Sequence, residues 1–408
     1  MREEYISDAF NLLDDAIIRE VDIVRNKAEK RKINWKAWGL LIAAACLVLI
    51  ISIRSGMFLS KPLSETENLP MLTIAENTSE GMGFEGYIAF DISELVNANP
   101  WNEDAKILTL PVFQNPVVYE DFCVVSGADF EKMEEFLLET AKSIGIDTKN
   151  LTIKDDAPSA EERQEIESKA GADLPEGYFN PRKLTAESDG VKIEVDVSMR
   201  AQIEFDPVIT LPEGYHLNQR SYEELTFAAG YLQEEFKELL KMENPQINVY
   251  GGDYNIYGEQ SFGLAFFNKG SNMEEDLINY NFNQISFISL SGGEGIWLIR
   301  IKRPDLSEKL GDYPIINAEQ ARELLSEGQY LSSVPYAFPG EDYIAKAELV
   351  YRTGELEKCY MPYYCFYVEI PEEEGTALAG AKTYGAYYVP AVESKYISNM
   401  PVWDGGFN

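Results

Sequence analysis

Three rhythms of hydrophobic and polar positions divide this chain. From Trp35 to Ile53 the residues WKAWGLLIAAACLVLIISI form one apolar run, with no charge from Ala37 onward. At ~1.5 Å of rise per helical residue the uncharged part spans roughly 26 Å, enough for a bilayer core. Ahead of it, Phe10, Leu13, Ile17, Val21 and Val24 recur at three- and four-residue steps, which predicts one apolar face of an amphipathic helix. Ser7 and Asp8 suit its cap and first turn. Behind it, period-two alternation such as Val191, Ile193, Val195 and Val197 predicts antiparallel strands with one wet face.

Helical windows fall near 129–144, 222–242 and 318–326. Strand windows fall at 191–205, 261–267, 283–290 against 295–301, 345–351, 363–370 and 386–392. The expected fold class is α+β, a single transmembrane helix followed by two extracytoplasmic lobes of antiparallel sheet packed with helices. The boundaries read as a cytoplasmic arm at 1–34, a membrane helix at 35–54 and a linker at 55–83. A first lobe follows at 84–275 and a second at 276–408. Thr109-Leu110-Pro111 and Thr210-Leu211-Pro212 each precede a helix and then a short strand, the trace of an internal repeat.

Charge orients this plan. Arg25, Lys27, Lys30, Arg31, Lys32 and Lys36 crowd the upstream flank of the run, whereas only Arg54 and Lys61 follow it closely. That asymmetry predicts a single-pass protein of the cell membrane, its N-terminus cytoplasmic and its C-terminal domain extracellular. Ala43-Ala44-Ala45-Cys46 has the look of a lipobox, but the apolar LVLIISI after Cys46 is unlike a mature lipoprotein start. The net charge of −34 lies almost wholly beyond Arg54, which disfavours nucleic acid as a partner. The bilayer, a cytoplasmic protein and an envelope ligand or protein remain as partners.

Catalytic chemistry is sparsely supplied. His216 is the only histidine, so no His-rich zinc site can form. The chain has no G-x-S-x-G, S-x-x-K, P-loop or G-x-G-x-x-G pattern. Gly251-Gly252-Asp253 lacks calcium-loop spacing. No catalytic residue, metal ligand or cofactor is assigned, and an acid-pair hydrolase is the enzyme alternative. Cys123, Cys359 and Cys365 are odd in number, so at least one thiol is unbridged by the others. Tyr250, Tyr254 and Tyr257 crowd one strand region and Tyr360 and Tyr363 another, giving a candidate ligand surface.

Two resemblances rest on these residues. The segment DAFNLLDDAIIREVDIVRNKAEKRKINWKAWGLLIAAACLVLI resembles the leader of single-pass proteins of clostridial-type Gram-positive bacteria. Some of these are similar to membrane-bound anti-sigma factors, whose arm holds a sigma factor. YPIINAEQARELLSEGQY, AKAELVYR, PYYCFYVEI and AYYVPAV, a helix and three strands, resemble PepSY-type regulatory domains, which bind partners without catalysis. Together they imply a non-catalytic regulatory or sensor protein. The alternative is a passive envelope binding or assembly factor.

Overall fold

The computed structural model describes residues 69–75, 86–171, 173–290, 293–371 and 378–406. The arm with Phe10, Leu13, Ile17, Val21 and Val24, the apolar run at 35–54 and most of the expected linker lie outside these residues. Among the described residues, no helix is long and apolar enough to cross a membrane. The expected fold class, a single transmembrane helix with two extracytoplasmic lobes, is corrected on that finding. So is the single-pass placement in a cell membrane with a cytoplasmic N-terminus and an extracellular C-terminal domain. The helices that are present reach 14 residues, about 21 Å, and each keeps a polar face.

Strands β1 (Gly86–Ala89) and β2 (Thr109–Gln114) and the small hairpin β3 (Val118–Glu120) and β4 (Cys123–Ser126) lead into helix α1 (Phe130–Ser143). Then come β5 (Ile153–Asp155), α2 (Ala160–Ala170), β6 (Lys183–Ser188), β7 (Val191–Asp196) and β8 (Arg200–Thr210). Helices α3 (Tyr222–Glu235) and α4 (Lys237–Leu240) precede β9 (Pro245–Tyr254), β10 (Gln260–Asn268), α5 (Met273–Phe282), β11 (Gln284–Ser289) and β12 (Gly295–Lys302). The remainder is β13 (Lys309–Pro314), α6 (Ala318–Ser326), β14 (Leu331–Ser332), β15 (Ile344–Tyr351), β16 (Cys359–Tyr360), β17 (Pro362–Ile370) and β18 (Lys382–Pro390).

Eight strands form one antiparallel sheet in the order β5-β6-β7-β8-β12-β11-β10-β9. It contains the same unit twice. A helix is followed by a four-stranded meander, α1 with β5–β8 and α3 with β9–β12, and the last strands of the two units pair at the centre (Ile203 opposite Ile299). Each unit carries one inserted helix, α2 in the first and α5 in the second. The stretch 191–205, expected as one strand, is a hairpin. Asp196 Oδ1 accepts hydrogen bonds from Ser198 N and Arg200 N at 2.9 and 3.1 Å, and Met199 takes a positive φ of 59°. The two main helices cover one face, burying Met133, Leu137, Leu225 and Leu232 against Ile193, Ile203, Phe266 and Ile299.

A second sheet has the order β1-β18-β17-β15, with β14 on β18, and a third the order β13-β2-β16. Residues 66–408 form one compact unit rather than two lobes. The boundary expected at 275 falls inside α5, and β11 and β12 beyond it complete the eight-stranded sheet. Helix α5 wedges between the sheets. Its Leu277 joins Leu349 and Phe366 in one core, and its Asn281 Oδ1 accepts from Tyr351 N at 3.0 Å.

The part of the expected linker that the structure describes is built into the body. Leu72 and Ile74 are buried against Val112, Tyr313 and Tyr363. Leu72 N donates to Tyr396 O at 2.7 Å, and Ser398 N donates to Leu72 O at 2.8 Å. Asn399 closes the clasp, its Oδ1 accepting from Ile74 N at 2.9 Å and its Nδ2 donating to Ile74 O at 2.8 Å.

Candidate functional site

Edge strand β9 of the large sheet and edge strand β15 of the second sheet approach one another with a strap, residues 94–99, between them. Two glycines make the approach possible. Gly251 and Gly252 have φ of 106° and 104°, and a Cβ on Gly252 would lie 1.9 Å from Glu94 O. Without side chains there, Val96 and Gly251 exchange backbone hydrogen bonds at 2.9 and 3.1 Å. Ala98 N donates to Asn248 Oδ1 at 2.9 Å. Toward β15, Asn97 Nδ2 donates to Glu348 Oε1 at 2.8 Å and Asn99 Nδ2 to Leu349 O at 3.1 Å.

A cleft of about 270 Å³ opens beside the strap. Four tyrosines line it, Tyr87 of β1, Tyr250 of β9, Tyr280 of α5 and Tyr367 of β17, with the carboxamides of Asn97, Asn248 and Gln284. Tyr250 is held in place by what its neighbour lacks. Its ring occupies the space over Gly263 on β10, where a Cβ would sit 2.4 Å from Tyr250 Cζ. Tyr87 and Tyr367 meet at 5.7 Å with their planes at 60°. A second cavity of about 370 Å³, bordered by Tyr222, Ile247 and Ala345, lies against the same strap residues Leu95–Asn97.

No charged side chain lines the 270 Å³ cleft among the described residues. Glu348, the carboxylate that Asn97 donates to, is buried and paired with Lys346 at 2.7 Å. Lys346 also donates to Leu95 O at 3.1 Å and lies over the Tyr367 ring at 5.5 Å. Burial is the main force pushing the Tyr280 and Tyr367 hydroxyls well above the usual phenol range, with Glu348 and Cys365 adding to it. Both therefore stay protonated at any physiological pH.

The sequence-derived surface divides on this geometry. Tyr250 lines the cleft. Tyr254 stands nearby, edge-on to Phe90 at 5.2 Å, its hydroxyl 3.5 Å from Glu94 Oε1. Tyr257 is 81% exposed at the β9–β10 turn. Tyr360 and Tyr363 are corrected, since both are core residues, Tyr360 against Phe282 and Tyr363 against Met361 and Leu72. The alternation rule fails for β17 because its sheet is covered on both faces, by α6 on one side and the clasped segment with the third sheet on the other.

Tyr367 belongs to the same run of strand aromatics as Tyr360 and Tyr363 and does line the cleft. Tyr87, Tyr280, Asn97, Asn248 and Gln284 were not anticipated, because they converge from four separate segments. The one local hint is Asn97-Ala98-Asn99, whose side chains each cap their own backbone two residues on, at 3.0 and 2.9 Å. Elsewhere, no group of three or more His, Cys, Asp or Glu among the described residues could hold a metal ion. Cys123, Cys359 and Cys365 are free thiols, and burial raises that of Cys359 to about 12.

No family model matches the chain, and no curated protein matches it. Among solved structures it is similar to an uncharacterised protein from Eubacterium rectale, at 12% identity and a TM-score of 0.31, over 72% of this chain and 87% of that one. So slight a likeness carries no argument.

Proposed function

We propose that this is a non-catalytic recognition protein that holds a small neutral ligand in the cleft between its two larger sheets. The observation that carries the reading is the lining itself: four tyrosines and three carboxamides, with no charge, on a chain of net charge −34. Such walls supply apolar faces and fixed hydrogen-bonding groups, the usual composition of a small-molecule site. They supply neither a nucleophile with a base nor the two carboxylates about 5–9 Å apart that an acid-pair hydrolase needs.

A regulatory or sensor role is the natural use of such a cleft. The strap ties β9 to β15, so a ligand pressing on Leu95–Asn97 bears on both sheets. A ligand with different affinities for two arrangements of that junction would shift their populations.

The test is a thermal-shift panel on the full chain with neutral sugars, nucleosides, amino-acid amides and dipeptides. The expected result is a melting shift from at least one class that Tyr250→Ala abolishes, the compound being recovered chemically intact by mass spectrometry. A shift that survives Tyr250→Ala, conversion of the compound, or a silent panel would overturn the proposal.

A further inference from the structure

We infer that the cleft takes a single ring of a neutral saccharide. This rests on the recognition reading above and names its ligand class.

The wall groups that remain available define the ligand's chemistry. Asn248 is 2% exposed, and its Oδ1 is fixed by Ala98 N at 2.9 Å, which settles the orientation of the amide. Its Nδ2 is left as a donor with no partner among the described residues. Gln284 is oriented in the same way, since its Nε2 donates to Tyr280 O and leaves Oε1 as an acceptor. The Tyr280 hydroxyl, able to donate and accept, has no hydrogen-bond partner among the described residues. A fixed donor, a fixed acceptor and an ambivalent hydroxyl are what a polyol satisfies, because each of its hydroxyls both donates and accepts. A purely apolar occupant would leave all three groups desolvated and unpaired, which is expensive.

Charge and shape narrow the class further. A charged sugar acid or phosphate would surrender its hydration to a wall without a counter-charge, since Lys346 is already committed to Glu348 at 2.7 Å. The rings of Tyr87 and Tyr367 are inclined at 60°, so they form no parallel slot for a flat base. Inclined aromatic faces suit the C–H patches of a puckered ring. The volume of about 270 Å³ lies at the small end of ligand pockets. That is the scale of one pyranose rather than a chain of rings.

The experiment is isothermal titration calorimetry on the full chain with glucose, galactose and N-acetylglucosamine, their β-linked tetramers, adenosine and glycyl-tyrosine amide. At least one monosaccharide is expected to bind with one-to-one stoichiometry, and its tetramer within about threefold of it. Tyr280→Phe, which removes one hydroxyl and keeps the ring, should weaken that binding by about tenfold. Tyr250→Ala should weaken it at least as much, and Tyr222→Ala in the neighbouring cavity should leave it within twofold. Circular dichroism confirms that each variant is folded. No heat from any sugar overturns the saccharide class. If adenosine or the dipeptide then binds and Tyr250→Ala abolishes it, the recognition reading stands alone, whereas silence from every probe removes both. Sugar binding that ignores both Tyr250→Ala and Tyr280→Phe overturns the assignment to this cleft.

Discussion

Replacing Arg352 by Met should destabilise the protein by about 3–5 kcal/mol at pH 7, the usual result of stranding one half of a buried ion pair. Arg352 follows β15, and its Nε lies 2.9 Å from Glu357 Oε1, the two side chains being 12% and 2% exposed. Its guanidinium also sits over the rings of Tyr363 and Tyr388 at 5.7 and 5.3 Å. Met would fill that space, so the loss arises chiefly from the orphaned Glu357. The carboxylate has little freedom to escape, because Asn115 Nδ2 holds the backbone carbonyls of Glu355 and Glu357 at 2.9 and 2.8 Å.

The pH dependence separates this mechanism from a packing defect. Burial raises the Glu357 carboxyl above its ordinary value of 4.5, and Arg352 pulls it partly back. For a carboxyl raised in the folded state, the folded protein holds the extra proton, so its stability contribution falls as pH rises from about 4.5 through the folded value. Removing Arg352 lifts that value further and widens the window. The deficit of Arg352→Met against wild type should therefore be smallest near pH 4 and full at pH 7. Urea denaturation followed by circular dichroism across this range measures it. The double variant Arg352→Met/Glu357→Met should return to within about 1 kcal/mol of wild type or exceed it. A pH-independent deficit, a loss under about 1 kcal/mol at pH 7, or a double variant as unstable as the single one would refute the reasoning.

Two further outcomes follow from single side chains. Gly263→Ala places a Cβ 2.4 Å from Tyr250 Cζ; it should displace that ring and weaken cleft binding at least tenfold, while urea denaturation shows a stability loss of only about 1 kcal/mol. Lys302, whose ammonium donates to Thr353 Oγ1, is lowered by burial and by Arg200 from 10.5 to about 8. Below that value the unfolded chain binds the proton no less readily, and between about 8 and 10.5 it binds it more, so wild-type stability should rise as pH climbs past 8. Lys302→Met should flatten that rise in melting curves between pH 7 and 9.5 and raise the melting temperature at pH 7. An unchanged slope would show that the ammonium is solvated.

Elements that carry their own signals were legible in the chain. Asp129 accepts from Lys132 N at 3.1 Å to open α1, and the Asn317–Gln320 capping box opens α6, matching apolar periodicities visible in sequence. Helix α2 shows the opposite balance. Its capping box, Ser159 with Glu162, is plain in the sequence, yet it buries no residue and so has no periodicity to find. The two Thr-Leu-Pro triplets do not mark the repeat, since Thr109-Leu110-Pro111 lies in β2 of the third sheet and Thr210 ends β8 of the large one; what the two units share is the meander and not the side chains. The cleft was largely illegible. Its walls come from residues as far apart as Tyr87 and Tyr367, and the pairing of Tyr250 with Gly263 is fixed by strand register rather than by either residue. The tyrosines of β16 and β17 misled because period-two alternation assumes one wet face, and neither Tyr360 in the third sheet nor Tyr363 in the second faces solvent.

The clasp between Leu72 and Ile397 has a mechanical consequence. The bridge is parallel, so tension applied at residue 69 and at residue 406 loads its hydrogen bonds lengthwise, in shear, all together. The clasp closes a loop of 300-odd residues between its two halves. Pro70, whose carbonyl accepts from the Tyr313 hydroxyl, and Trp403, whose N donates to Gly328 O, would take the load first. Leu72, Ile74, Ser398 and Asn399 then carry it together, which makes this short contact the fuse that holds the two ends of the body shut.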